Sequence, residues 1–350
     1  MGEARRQSRR EATSNIQGAS SLTKRSQLLK AGAEKMRAES EGIARYVDAV
    51  VVNCGRRKSL THSDYATPVS IPFGTQLGVQ SEWLRRLQTL ETRTAANAFY
   101  TGRGFGMAVR AAAATKAPLY IASAGLGLVS GDTQIPAYGL TVAGEHPEAV
   151  ATRVCGPFDP ASWFESMMGG PYSRRWLDVV GNGEGSILIG LTQPYARMLG
   201  PGLGVLRPQQ QARLRLFGLS LAGALPKILH PAVAPYDERL NAILPGTRSD
   251  FANRALLHFA QTVLGQRATS DRVEEFEAVN AALDVVKTLR PPCRPRRSDP
   301  EITALIHKRL SLHHAKGQIL RALRDEEGVA CEQARFARLY RAARQNGAVS

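Results

Sequence analysis

Cys54 is followed within four residues by three basic side chains, Arg56, Arg57 and Lys58. Nearby positive charge favours the thiolate over the thiol, and the thiolate is the nucleophilic form of cysteine. The same basic side chains could instead hold a phosphate while Cys54 packs in the protein interior. The sequence therefore predicts a nucleophile, an anion-binding loop or a structural cysteine here, and leaves the three open.

A glycine-rich run, residues 99–106, leads into an alanine-rich helical pattern. Glycines at the start of a helix expose backbone N–H groups, and the helix dipole favours an anion beside them. The run is not a Walker loop, because it lacks the Gly-Lys-Ser/Thr ending. It is not a dinucleotide fingerprint either, because no strand precedes it. We expect four of its residues to bind a ligand, with simple helix packing as the alternative: Tyr100, Thr101, Gly102 and Arg103.

Residues 117–138 begin with a β-prone apolar run that breaks at Ser123 into a loop with three glycines. An open α/β sheet presents ligands at its carboxyl edge through loops of this kind. We therefore expect Ser123 and Gly127 to contact a ligand. We expect Asp132 or Tyr138 to move a proton if the site is catalytic, with Cys54 as nucleophile and Lys58 holding an anion. A purely structural strand-to-loop connection is the alternative.

A second polar cluster contains the Tyr-Asp-Glu-Arg run at residues 236–239 together with Arg248, Ser249, Asp250, Arg254 and His258. Acids and arginines at this density favour an ion-pair network over a catalytic site, and Asp250 also suits a helix N-cap. No residues show the spacing of metal ligands, so the sequence predicts no metal site.

Apolar runs predict strands at residues 47–53, 119–122, 186–191 and 212–219. Helical spacing predicts helices at residues 81–94, 104–116, 160–168, 194–198 and 250–264. A strand, a long connection, a helix and a second strand form a crossover unit. The predicted fold class is therefore α/β, with a largely parallel sheet flanked by helices.

The Pro/Arg-rich segment at residues 289–299 is the predicted linker between two domains. Residues 46–288 form the predicted α/β domain, and residues 1–45 a basic, partly disordered arm. Residues 300–350 contain three helical patterns, the size of a helix-turn-helix or winged-helix module. A helical cap on the main domain is the alternative.

The last helical pattern carries arginines at a spacing of three, which predicts a basic stripe suited to phosphates. A solvated charged face is the alternative for these residues, Arg335, Arg338, Arg341 and Arg344.

The 350 residues contain 46 Lys and Arg against 30 Asp and Glu, a formal net charge of +16. Such an excess favours polyanionic partners, nucleic acid (DNA first) or nucleotides. The four cysteines lie far apart, which is typical of reduced thiols. Neither a secretory signal nor a membrane span is visible, so we expect a cytoplasmic protein. The sequence assigns no cofactor and no oligomeric state.

The first half resembles the YaaA peroxide-stress family and its uncharacterised relatives over residues 47–142. The matching positions are Cys54 and Lys58, residues 100–105, and Ser123, Gly127, Leu128, Asp132, Pro136 and Tyr138. This resemblance implies an α/β fold, a DNA-binding surface and a pocket. The Cys-x-x-x-Lys element is also similar to one in archaeosine synthase, which modifies a 7-deazaguanine base in RNA.

Together these patterns predict a nucleic-acid-associated protein whose α/β pocket binds a nucleotide or modified base, as in a nucleobase-modifying enzyme. The alternative is a non-catalytic DNA-binding regulatory, stress or defence protein.

Overall fold

The computed structural model describes residues 47–55, 57–59, 65–90, 93–142, 146–266, 271–285, 295–310 and 315–346. The predicted arm at residues 1–45, Arg56 and residues 289–294 of the predicted linker lie outside these ranges. The chain divides into two compact units, Met1–Lys287 and Thr288–Ser350. They are called the main unit and the tail unit below.

The main unit is built on a five-stranded sheet with the strand order β4-β3-β1-β6-β7. Its strands are β1 (Val47–Asn53), β3 (Leu119–Ser123), β4 (Gly127–Ser130), β6 (Ser186–Gly190) and β7 (Leu214–Phe217). β1 pairs in parallel with β3 and β6, and β6 with β7, whereas β4 runs antiparallel to β3. A separate antiparallel pair joins β2 (Arg93–Ala95) to β5 (Gln134–Pro136). The predicted α/β class with a mostly parallel sheet is confirmed.

Ten α-helices of the main unit lie within the described ranges. They are α1 (Gln76–Thr89), α2 (Ala96–Phe99), α3 (Arg103–Thr115), α4 (Pro160–Met167), α5 (Trp176–Val180), α6 (Gln193–Gly204), α7 (Pro208–Ala212), α8 (Leu240–Ile243), α9 (Phe251–His258) and α10 (Arg272–Asp284). A π-helical turn, Phe259–Val263, continues α9. None of the helices in the described ranges combines the length and apolar character needed to span a lipid bilayer.

The apolar runs form the central strands because their side chains are buried on both faces of the sheet. Val50, Val51 and Val52 of β1 are fully buried, as is every residue of β6. Helices α3 and α9 pack on each other and against β1 and β6. The packing of α3 and α9 fixes the starts of these two helices near the carboxyl ends of the central strands.

The segment after Ser123 differs from the predicted loop, because residues 127–130 return as β4 beside β3. Two tryptophans form hydrogen bonds to the turn between these strands. Trp83 Nε1 donates to the Gly125 carbonyl at 2.7 Å and Trp163 Nε1 to the Ala124 carbonyl at 2.7 Å. This turn is therefore a packed part of the core.

The tail unit contains helices α11 (Asp299–Leu310), α12 (Lys316–Asp325) and α13 (Gln333–Asn346). They enclose their own apolar core, which includes Ile302, Ile319, Leu323 and Phe336. The three predicted helices are therefore present.

The arginines of α13 do not share one helix face. A helix turns by about 100° per residue, so a spacing of three moves each arginine about 60° around the axis. Arg335 and Arg338 both pair with Asp299, with the Arg338 Nη2 to Asp299 Oδ2 distance at 2.7 Å. Arg341 and Arg344 are exposed. Arg335 and Arg338 thus form an ion-pair cluster with Asp299, and the predicted phosphate contacts of the four arginines stay a prediction.

Candidate functional site

A cavity of about 740 Å³ opens at the carboxyl ends of β1 and β6. The chain leaves β1 towards β3 on one side, and β6 lies on the other side, so the strand order reverses at this point. Open α/β sheets bind their ligands in the crevice at such a reversal. The cavity therefore lies where the fold itself favours a binding site.

Backbone pairing brings the two predicted anion-binding segments together. Lys58 and Tyr100 form an antiparallel bridge, and the N–H of Thr101 donates to the carbonyl of Arg57 at 2.9 Å. The N–H of Ser59 donates to the Phe99 carbonyl at 2.8 Å. The segment after β1 is thus held against the approach to α3, and residues of both segments line the cavity.

The N-terminus of α3 reaches the cavity without a capping side chain. Gly102 is its N-cap residue, has a φ of +103° and provides no side-chain cap. This backbone conformation is open to glycine and strained for other residues. Arg103, Gly104 and Phe105 of the first turn line the cavity. The start of a 13-residue helix therefore presents free backbone N–H groups and a positive dipole end there.

Three basic residues line the same cavity, Arg57, Lys58 and Arg103. Arg57 packs its side chain against Gly102, and Arg103 donates to the carbonyl of Pro245. The Lys58 ammonium lies 4.8 Å from the centre of the Tyr138 ring. These charges add to the helix dipole and favour an anionic ligand.

The cavity also has acidic residues, Asp250 and Glu148. Asp250 pairs with the buried Arg254, whose Nε lies 2.8 Å from Asp250 Oδ1. Arg254 also donates to the carbonyls of Leu244 and Thr247, at 2.6 and 2.8 Å. The Asp250–Arg254 part of the second polar cluster is therefore an ion-pair network. Arg254 holds the loop before α9, whose residue Thr247 lines the cavity.

Cys54 contacts Tyr195, which the sequence did not indicate as a site residue. Its Sγ lies 2.9 Å from the hydroxyl oxygen of Tyr195, in the first turn of α6. Both residues line the cavity, and they are 8% and 6% exposed. Since β1 and β6 are adjacent and parallel, the residues that follow them must lie close together.

Asn253, at the start of α9, also lines the cavity and was not predicted. Its Nδ2 donates to the carbonyl of Gly104 at 3.0 Å, which fixes the orientation of the amide. Its Oδ1 is buried and accepts no hydrogen bond from the described residues. A buried acceptor left in this state costs about 1–3 kcal/mol unless a donor reaches it.

The predicted residues Ser123, Tyr138 and Tyr100 form a buried hydrogen-bonded chain outside the cavity lining. The hydroxyl of Tyr138 bonds both the Tyr100 hydroxyl and Ser123 Oγ. Ser123 Oγ also accepts from the N–H groups of Gly125 and Leu126, at 3.1 and 3.0 Å.

Burial, and next the nearby Cys54, raise the pKa of Tyr100. Burial, and next the neighbouring Tyr100, raise the pKa of Tyr138. Both phenols therefore stay protonated at neutral pH.

The structure does not bring Asp132 or Gly127 to the cavity. Asp132 is exposed and accepts a hydrogen bond of 3.4 Å from Asn97. Gly127 begins β4 with a φ of +80° and packs against Met167 and Ser173. The local sequence could not show this, because the turn that precedes Gly127 is buried by two distant tryptophans.

The structure thus unites Cys54, Lys58, Thr101, Gly102 and Arg103 from the predicted set. The cavity residues that the sequence did not indicate include Thr192 and Tyr195 after β6, Thr247 before α9 and Asn253 in the first turn of α9. Across the described ranges, no three His, Cys, Asp or Glu side chains are grouped so as to hold a metal ion.

Comparisons with protein-family models, with curated proteins and with solved structures found no match to this chain.

Proposed function

We propose that the main unit binds a nucleotide in the cavity at the ends of β1 and β6. The observation that carries this proposal is the glycine-capped start of α3, which opens on the cavity beside Arg57 and Lys58. Backbone N–H groups at a helix start, together with basic side chains, bind phosphate oxygens. The phosphate of the ligand lies at this end of the cavity.

The rest of the cavity favours a ligand larger than phosphate. Its volume of about 740 Å³ lies in the range of small-molecule sites. Apolar and aromatic side chains line it, among them Phe105, Leu140 and Tyr195. The Asn253 amide lines the cavity, and its Oδ1, which has no partner among the described residues, would accept from an N–H donor of a nucleobase after a rotation of the amide. A nucleotide or a modified base meets these three requirements.

Calorimetric titration with the four nucleoside 5′-monophosphates and the matching nucleosides tests this proposal. We expect at least one monophosphate to bind, and its nucleoside to bind at least tenfold more weakly. Replacing Arg57 and Lys58 together by methionine should weaken the binding of the monophosphate by about 10–100-fold, because charge-assisted hydrogen bonds are lost.

Arg85→Met is the matched control, since Arg85 is an exposed arginine of α1 outside the cavity lining. It should leave the affinity unchanged. Equal binding of nucleoside and monophosphate, or full affinity in the Arg57/Lys58 variant, would contradict a phosphate subsite at the start of α3.

Association with nucleic acid, DNA first, is the second part of the proposal, and the exposed arginines of α13 support it. Arg338, Arg341 and Arg344 are exposed, and Arg338 shares Asp299 with Arg335. The tail unit in this proposal is a winged-helix-like or other helical module that contacts phosphates. A nucleobase-modifying enzyme and a DNA-binding regulatory, stress or defence protein both fit these two parts.

Replacing these three arginines by alanine should weaken duplex DNA binding uniformly across sequences. The slope of log affinity against log salt should become less negative by up to about 2.7, since each phosphate contact contributes about 0.9. Fluorescence anisotropy at several salt concentrations measures both effects, with Arg85→Met as control. An unchanged slope would show that these three arginines of the tail unit do not contact DNA phosphates.

A further inference from the structure

Cys54 Sγ and the Tyr195 hydroxyl form a buried hydrogen bond in which either atom could be the donor. The Sγ to hydroxyl distance is 2.9 Å, and both groups face one cavity. A phenol hydroxyl can donate to a thiolate, which is otherwise disfavoured in a site this buried.

Groups that favour an anion line the cavity that holds Cys54. Tyr195 lies in the first turn of the 12-residue helix α6, whose N-cap residue Thr192 makes no side-chain cap. The start of α3 and the basic residues Arg57 and Lys58 line the same cavity, together with the acids Glu148 and Asp250. The two helix starts favour an anion in this cavity.

A second, independent observation concerns Asn253, which is only 8% exposed and lines the same cavity. Its Oδ1 accepts no hydrogen bond from the described residues, whereas buried acceptors are nearly always satisfied in native proteins. This atom lies beside Gly190 with almost no accessible surface, so a ligand donor in the cavity would reach it after a rotation of the amide.

We propose that Cys54 adds covalently to an electron-poor carbon of the bound ligand and that Tyr195 is the positioning residue that holds the thiolate. The carbon is doubly bonded to nitrogen or oxygen, as in a nucleobase ring. The S–H bond breaks, a C–S bond forms, and the π electron pair moves to the heteroatom, which gains one proton. The step needs no oxidant or reductant. The identity of the ligand rests on the proposed function, but the reactivity of the pair does not.

Alkylation of the full-length protein by iodoacetamide, followed by peptide mass spectrometry from pH 5 to 9, tests the pair without the ligand. In this reaction the sulfur displaces iodide, and the thiol proton passes to the buffer. Cys155 is exposed and gives an internal reference for an ordinary thiol. Burial raises the pKa of the Cys331 thiol, which gives a reference for an inert one.

In the native protein, we expect iodoacetamide to alkylate Cys54 at pH 7, whereas Cys331 should stay inert. Tyr195→Phe should slow the reaction of Cys54 at pH 7 by about tenfold and move the midpoint of its pH profile upward by about one unit. The rates of Cys155 and Cys331 should not change. A merely structural role of the hydroxyl would not shift the midpoint.

The proposal is overturned if Cys54 has the same midpoint with and without the Tyr195 hydroxyl, or if native Cys54 is as unreactive at pH 7 as Cys331. If Tyr195→Phe unfolds the main unit, its tryptophan fluorescence shows this, and the native reactivity of Cys54 alone decides. If the protein binds no nucleotide but Cys54 shows the expected pH profile of alkylation, the proposed ligand is rejected and the reactive pair is kept. If the protein binds nucleotide but Cys54 lacks that profile, the ligand is kept and the reactive pair is rejected.

Discussion

Arg215→Met is expected to lower the free energy of unfolding of the main unit by about 3–5 kcal/mol, because the Glu275 carboxylate would remain buried without the Arg215 charge. Arg215 lies on β7 and Glu275 on α10, and their side chains are 2% and 0% exposed. Arg215 Nε donates to Glu275 Oε2, and its Nη1 donates to the carbonyl of Ala212 at 2.9 Å. The pair joins the edge strand of the sheet to α10.

Urea unfolding followed by tryptophan fluorescence measures this loss in the main unit alone, because all three tryptophans, Trp83, Trp163 and Trp176, belong to it. The double variant Arg215→Met/Glu275→Met should recover at least half of the loss, since it removes both charges of the pair. Arg85→Met should leave the urea midpoint unchanged, since its side chain is 63% exposed. A single and a double variant of equal stability would contradict the argument from the lost Arg215 charge.

Gly127→Ala is expected to cost about 3 kcal/mol or more, the sum of backbone strain and overpacking. The residue has a φ of +80°, and a methyl group would lie 2.7 Å from the Met167 carbonyl oxygen and closer still to Ser173 Oγ. The backbone atom cannot move aside without displacing the end of α4. The same urea experiment measures the effect.

Gly156→Ala separates the two causes, because Gly156 has a φ of +98° but no atoms within 4 Å of the added methyl. It should cost about 1–3 kcal/mol from strain alone. Equal losses at the two positions would show that the contacts of Gly127 do not matter. The folded Gly127 variant should bind nucleotide normally, whereas a ligand-contact role for Gly127 requires weaker binding.

Much of the sheet could be predicted from the sequence because its strands are short apolar runs. Val47–Asn53 and Ser186–Gly190 are buried on both faces, so their composition alone indicates strands. β4 could not be predicted in this way, because the turn before it depends on Trp83 and Trp163. Such long-range contacts leave no local periodicity.

The candidate site could be predicted on one side only. Cys54 and the residues around Gly102 carry local signals, a thiol beside cations and a glycine run before a helix. Tyr195 and Asn253 carry none, because their importance depends on β6 lying beside β1. The Thr-Gln-Pro-Tyr run, which begins two residues after the end of β6, is the signal that could have indicated Tyr195 once the neighbour of β1 was known.

The glycine cap of α3 has a consequence for how this kind of site could change during evolution. An anion held by backbone N–H groups depends on the path of the main chain and only partly on the neighbouring side chains. Arg57 could therefore be substituted during evolution while anion recognition persists. Gly102 could not be substituted in this way, because its φ is +103°. Distant homologues of this protein should then share the glycine and the strand order before they share the basic residues.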